Sequence, residues 1–198
     1  MWDERYDQED YLFGKAPNAF LARQAHRLAP GMRALAVADG EGRNGVWLAE
    51  QGAHVVAVDA SPVGVAKARK LAAERGVSLE HIVADMTAWD WPDATFDLVV
   101  AIFIQVTTPD ERAGIFKGMI RALKPGGLLL LEGYGTGQLA YGTGGPKDIE
   151  RLYTEDLLRT SFAELEILEL STYDAELDEG ARHRGMSALV DLVARKAA

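Results

Sequence analysis

Between residues 35 and 59, three glycines and two acids carry the clearest chemical signal in the chain. The loop Asp39-Gly40-Glu41-Gly42-Arg43-Asn44-Gly45 spells G-x-G-x-x-G through Gly40, Gly42 and Gly45, and Asp59 closes the apolar run that follows. Glycines in a strand-to-helix turn let backbone N–H groups approach a ligand closely, and an acid ending the next strand meets ribose hydroxyls. The pattern reads as a nucleoside-cofactor site. Each feature also has a plainer reading, because glycine tolerates positive φ in any tight turn and Asp59 could cap a helix. Ser61 already offers that cap, which leaves the Asp59 carboxylate for a diol.

The elements around this loop follow from hydrophobic period and punctuation. Residues 32–38 and 53–59 read as apolar strands flanking a helix that starts at Arg43 and stops at Gly52. Ser61-Pro62 starts a helix to Gly76, and 79–84 and 96–102 are further strands. Thr108-Pro109-Asp110-Glu111 is a capping box for a helix ending near Leu123. Lys124-Pro125-Gly126-Gly127 turns into a strand at 128–131, and 133–146 is a glycine-rich functional loop. Thr154 caps another helix. The strands 165–170 and 186–194 lack a crossover helix between them and so pair antiparallel. Upstream, residues 2–28 read as helical, broken near 13–17, with Pro17 starting the helix that carries Phe20, Leu21 and Ala25. The expected fold is α/β: a doubly wound, mostly parallel seven-stranded sheet with an antiparallel C-terminal hairpin, and the ligand at the strands' carboxyl ends.

With 198 residues, one domain is expected: a helical cap (1–30), a cofactor-binding core (31–132) and an acceptor-side loop with hairpin (133–198). A net charge of −9 and a pI near 4.9 disfavour nucleic acid and anionic membrane as partners and favour a small molecule. The absence of cysteine excludes disulfides and thiolate chemistry. Acids in the opening Met1-Trp2-Asp3-Glu4-Arg5, with no apolar run of bilayer length, point to a soluble, cytoplasmic protein, monomeric or weakly homodimeric.

Taken together, the motifs resemble the seven-stranded class I S-adenosylmethionine-dependent methyltransferases, most of all the small tellurite-resistance-type branch. The resemblance rests on residues 2–6 (Trp2-Asp3-Glu4-Arg5-Tyr6), Tyr11, Phe13-Gly14, Pro17-Asn18, the Gly40 loop, Val58-Asp59-Ala60-Ser61, Ala84-Asp85, Phe96-Asp97-Leu98-Val99 and Leu123-Lys124-Pro125-Gly126-Gly127. The stretch Tyr141-Gly142-Thr143-Gly144-Gly145-Pro146 and the residues Glu179-Gly180, His183 and Gly185 narrow it to the branch. The resemblance implies S-adenosylmethionine as cofactor, bound by Tyr11, Asp39, Gly40, Glu41, Gly42, Arg43, Asn44, Asp59, Ala60, Asp85, Met86, Ala101 and Phe103. Within that set Asp85 and the Met86 N–H face the adenine, while Ala101 and Phe103 form the floor under the sulfonium. The chain departs from the family at Ala36, where many members carry an acid, and Asp39 is the nearest substitute for contact with the cofactor's ammonium.

Methyl transfer to a small acceptor is the implied reaction, with tellurite, selenite or a thiol as soft acceptors that carry their own lone pair. For an OH or NH acceptor, His183 or Tyr134 would remove the proton. No metal site is assigned, because Glu179 and His183 lack a third ligand. Trp89 and Trp91 read as packing. Two rival readings are a NAD(P)-dependent oxidoreductase, which the glycine spacing also satisfies, and a non-catalytic cofactor-binding module.

Overall fold

In the computed structural model, which describes residues 2–198, β1 (Arg33–Val37), β2 (His54–Asp59), β3 (Glu80–Val83), β4 (Phe96–Ile102) and β5 (Leu123–Tyr134) run parallel. The sheet is completed by β6 (Leu165–Asp178) and β7 (Arg184–Lys196), in the order β3-β2-β1-β4-β5-β7-β6, with β7 antiparallel to both of its neighbours. The helices are α1 (Trp2–Tyr6), α2 (Ala19–Arg23), α3 (Arg43–Glu50), α4 (Pro62–Arg75), α5 (Pro109–Ala122), α6 (Gln138–Tyr141) and α7 (Glu155–Ser161). The expected seven-stranded α/β architecture is the observed one. Met1 lies outside the described residues.

Both sheet faces are buried, which is why the central strands are apolar throughout. Leu35, Val37, Val99, Ala101, Leu129 and Leu131 pack with Phe116, Met119 and Phe162 on one side. Ala34, Ala36, Leu98, Val100 and Leu130 pack with Phe20, Leu21 and Leu48 on the other. Local caps hold the helix starts as the sequence implied: the Ser61 side chain accepts from Gly64 N, and Thr108 with Glu111 forms the full capping box.

Three expectations change. Helix α2 begins after Asn18, whose side chain accepts from Leu21 N, so Pro17 precedes the cap and Ala25 falls in a 3-10 turn. Strand β5 extends to Tyr134, because β7 supplies partners as far as Gly133↔Val190 and Tyr134↔Leu189; the loop therefore begins after Tyr134 and contains α6. The hairpin is much longer than 165–170 and 186–194. It pairs from Leu165↔Lys196 to Asp178↔Arg184, and the turn is closed by Glu179 N donating to His183 O at 2.8 Å.

Candidate cofactor site

The glycine loop is built from left-handed backbone. Ala38, Gly40 and Gly42 have φ of 50°, 57° and 91°, and Gly42 is the N-cap of α3. A methyl group on Gly42 would lie 2.6 Å from the Ala68 Cβ of α4, so only glycine lets the two helices close on the loop. Asp59 joins the turns after β1 and β2: its Oδ2 accepts from Gly40 N and its Oδ1 from Ser61 N, both at 2.8 Å. Burial raises its pKa against the pull of those two N–H groups. The expectation of a free carboxylate is thus modified, although each oxygen keeps a second lone pair for an incoming hydroxyl.

The loop's polar side chains turn towards the protein. Asp39 accepts from Gly45 N at 2.9 Å, with the rest of its carboxylate buried and unpartnered. Burial, reinforced by the Asp59 charge, pushes its pKa up to about 7. Asp39 therefore holds the first turn of α3 and does not stand in as an open acid for Ala36, which is itself packed in the core. Glu41 accepts from Leu12 N at 2.8 Å and lies 2.5 Å from the Lys67 ammonium. Arg43 pairs with Glu179 at 2.8 Å, and Asn44 Oδ1 accepts from Asn18 N at 2.9 Å. What the loop leaves for a ligand is its backbone.

Over that backbone lies Tyr6. A methyl on Gly40 would be 2.7 Å from the Tyr6 hydroxyl, and one on Gly64 would be 3.0 Å from its ring. Burial first, then the charges of Asp59, Glu41 and Asp39, raise the Tyr6 pKa. Asp3 accepts from the Ser61 hydroxyl in a short contact beside it. Sequence reasoning singled out Tyr11 instead, but Tyr11 packs near Val46 and Leu71, and its hydroxyl donates to Lys67 O at 3.0 Å. The helical spacing of Trp2 and Tyr6, whose rings stack at 5.4 Å, was the available signal.

After β2 and β3, Ala60 and Asp85 are exposed, and Asp85 Oδ1 accepts from Thr87 N and Oγ1 at 2.9 and 2.8 Å. Met86 is buried, and its carbonyl accepts from the Trp91 indole at 3.2 Å. Ala101 is fully buried within the sheet and does not reach a surface. Phe103 is half-buried. It has a φ of 54°, and its ring lies 4.6 Å from Tyr134 and 4.3 Å from His183.

His183 is boxed by aromatic rings, with Phe13 at 4.5 Å and Tyr134 at 5.8 Å completing the enclosure. Burial lowers the His183 pKa more than the Glu179 charge raises it, which favours a neutral imidazole. Its Nδ1 is buried and 4.0 Å from Glu179, beyond hydrogen-bond range. Tyr134 is 2% exposed, its hydroxyl is unpartnered, and burial raises its pKa. Glu179 also accepts from Ala19 N at 2.8 Å and from the Asn18 amide at 3.2 Å. Although burial alone would raise its pKa, the Arg43 guanidinium and the Ala19 N–H beside it help to hold it down at about 2. Asn18 donates further to Glu132 at 2.6 Å. Neither Asn18 nor Glu132 was a predicted site residue, because their junction spans 114 positions of sequence. Tyr141 stands apart, with an exposed ring.

Residues 34–127 match a family model described as a methyltransferase domain. Cypemycin N-terminal methyltransferase from a Streptomyces species is 32% identical over 133 residues, which is 65% of this chain and 53% of that protein. The chain spans about half or less of the length of the first curated relatives it matches. Among solved structures, N-methyltransferase NodS from Bradyrhizobium japonicum, in complex with S-adenosyl-L-homocysteine, superposes with a TM-score of 0.76 at 14% identity, covering 98% of this chain and 96% of that one. TehB from Haemophilus influenzae gives 0.75 at 18% identity over 98% and 65%. These likenesses establish the methyltransferase fold. The methyltransferase domain match ends at Gly127, so the aromatic box and the Glu179 cluster are built largely by segments outside it.

Proposed function

We propose that this chain transfers the methyl group of S-adenosylmethionine to a small, soft acceptor, and that a thiol suits the site best. The observation that carries the reading is the pairing of two features: a backbone cradle at Gly40–Gly42 tied to Asp59, and an aromatic enclosure around a neutral His183. The cofactor fits the first feature, since glycine leaves room where a Cβ would clash and Asp59 keeps lone pairs for two ribose hydroxyls. When bound, it supplies a methyl group already activated on a sulfonium. Tyr6 and the loop amides would hold it, Asp85 with the Met86 N–H would read the adenine, and Phe103 would lie under the reacting end.

Phe13, Phe103 and Tyr134 exclude water and align the acceptor, and alignment alone can contribute about 7–11 kcal/mol in favourable cases. With the cofactor bound, the methyl carbon would pass from the sulfonium to the acceptor sulfur, the cofactor leaving as the neutral thioether, and His183 would take the S–H proton. Arg43 is neutralised by Glu179, which leaves the enclosure poorer in free positive charge than an oxyanion such as tellurite or selenite would need. The motifs at 141–146 and 179–185 support the tellurite-resistance-type branch as a matter of ancestry. We further read 1–198 as one functional unit, monomeric or weakly dimeric, with a small-molecule rather than nucleic-acid partner. A reducing cytoplasm suits a chain with no cysteine, and no helix among the described residues is long and apolar enough to cross a membrane.

Calorimetry with S-adenosylmethionine, S-adenosylhomocysteine, NAD and NADP tests the cofactor. Heat for the sulfonium pair alone is expected, and heat for a nicotinamide alone would overturn the reading. Mass analysis of small thiols, selenite and tellurite incubated with enzyme and cofactor then tests the acceptor, with thiols expected to gain a methyl fastest.

A further inference from the structure

The side chain of Lys67, in the middle of α4, is only 14% exposed although it carries a charge. Its ammonium lies 3.3 Å from Tyr6 O, 3.0 Å from Gln8 O and 2.6 Å from Asp10 O, and 2.5 Å from a Glu41 carboxylate oxygen. Three carbonyls, from the end of α1 and the chain that follows it, converge on one cation, which has three protons to give. The Tyr11 ring covers the same ammonium at 4.9 Å, and its hydroxyl returns to the Lys67 carbonyl. Burying an ammonium costs several kcal/mol unless it is compensated, so this arrangement holds only while segment 6–11 lies on α4. Glu41, the other partner, belongs to the glycine loop and also accepts from Leu12 N. One cation therefore joins the loop that would carry the cofactor to the segment that places Tyr6 over Gly40 and Asp3 beside Ser61.

We infer that Lys67 is a positioning residue for the cofactor: it fixes the N-terminal segment over the glycine loop and acts on cofactor retention, leaving the transfer step to other groups. The inference rests on the proposed cofactor site and goes beyond it. The test is S-adenosylhomocysteine binding by calorimetry to the full chain and to Lys67→Met, Tyr6→Ala and the double variant. Lys67→Met should weaken binding about tenfold, equivalent to about 1.4 kcal/mol. KM for S-adenosylmethionine should rise in parallel, with kcat at saturation within twofold of the parent.

Because Lys67 acts through the segment that holds Tyr6, the double variant should bind no worse than the weaker single variant. Hydrogen exchange at Leu12 N–H should accelerate in Lys67→Met while that of β4 does not change. Lys67→Arg, which keeps the charge, should recover part of the affinity. If Lys67→Met fails to fold by circular dichroism, Glu41→Gln breaks the same ion pair while leaving Leu12 an acceptor, and should weaken binding severalfold. Binding of the parent with Lys67→Met, or Glu41→Gln in its place, within twofold of it would overturn the inference alone, as would additive effects in the double variant. No binding by the parent would overturn the cofactor site itself, and this inference with it.

Discussion

The floor and the roof of this site are built in different ways. The floor is local: Asp39 reaches Gly45 six residues on, and Asp59 reaches back 19 residues to Gly40. The roof joins distant parts of the chain, with Ala19 to Glu179 separated by 160 residues, Arg43 to Glu179 by 136 and Asn18 to Glu132 by 114. A floor of this kind forms wherever β1, β2 and their helices pack. A roof of this kind depends on hubs, and Glu179 is the main one, since it serves α2, α3 and the hairpin turn together.

The comparison breaks most visibly at that hub. Glu179→Ala leaves the Arg43 guanidinium, with its side chain 8% exposed, without its partner, so denaturant unfolding should show a loss of about 3–5 kcal/mol. A loss under 1 kcal/mol would mean that the roof is held elsewhere. On the floor, Asp59→Ala should weaken S-adenosylhomocysteine binding by about 1.5–3 kcal/mol, the range for hydrogen bonds to a charged group. Its melting temperature should also fall, because Gly40 and Ser61 lose their acceptor. An unchanged Kd in calorimetry would separate Asp59 from the ligand.

His183→Ala sharpens the division of labour. Turnover on the best acceptor should drop about tenfold or more, or about 1.4 kcal/mol, with S-adenosylhomocysteine affinity within twofold. Full activity on every acceptor would reduce His183 to packing.

The smallest effect concerns pH. Burial raises the Asp39 pKa to about 7 from the 3.8 of a solvent-exposed aspartate, so between those values the native form holds a proton that the unfolded chain has released. Stability from this group is therefore present below about pH 4, declines as pH rises towards 7, and stays low above it. Asp59, Glu132 and Asp191, also raised by burial, push the same way. Asp39→Asn should flatten part of this slope. At pH 8 it should raise the melting temperature by about 2–4 °C, roughly 1 kcal/mol for a chain of this size, because a weaker bond to Gly45 offsets much of the relief. A variant whose pH profile matches the parent's would show that Asp39 stays ionised.

Residues 35–86 were legible from sequence because their structure is set by near neighbours. Left-handed glycines, the Ser61 cap and an acid two strand lengths from the loop are all written within 25 residues of one another. Strand β5 was read four residues long, and its last two residues, Gly133 and Tyr134, are strand through pairing with β7, some 55 residues later. Glu41, Arg43 and Asn44 were recognisable as members of a cofactor loop, but their direction was not, since a side chain's partner depends on which segment folds over it. The same holds for Tyr6 against Tyr11, five residues apart in one motif, of which the first lies against Gly40 and Gly64 and the second packs with Val46 and Leu71.

The sequence by itself determined the α/β architecture, the glycine loop and the place of Asp59 at the end of β2, because propensity, capping and period act over one or two turns or strands. Only the tertiary structure decided that the loop's side chains pair with distant segments, and that Lys67 and Glu179 are the hubs. Those outcomes depend on buried charges finding partners more than 25 and up to 160 residues away, and burial is a property of the packed chain that no local spacing encodes.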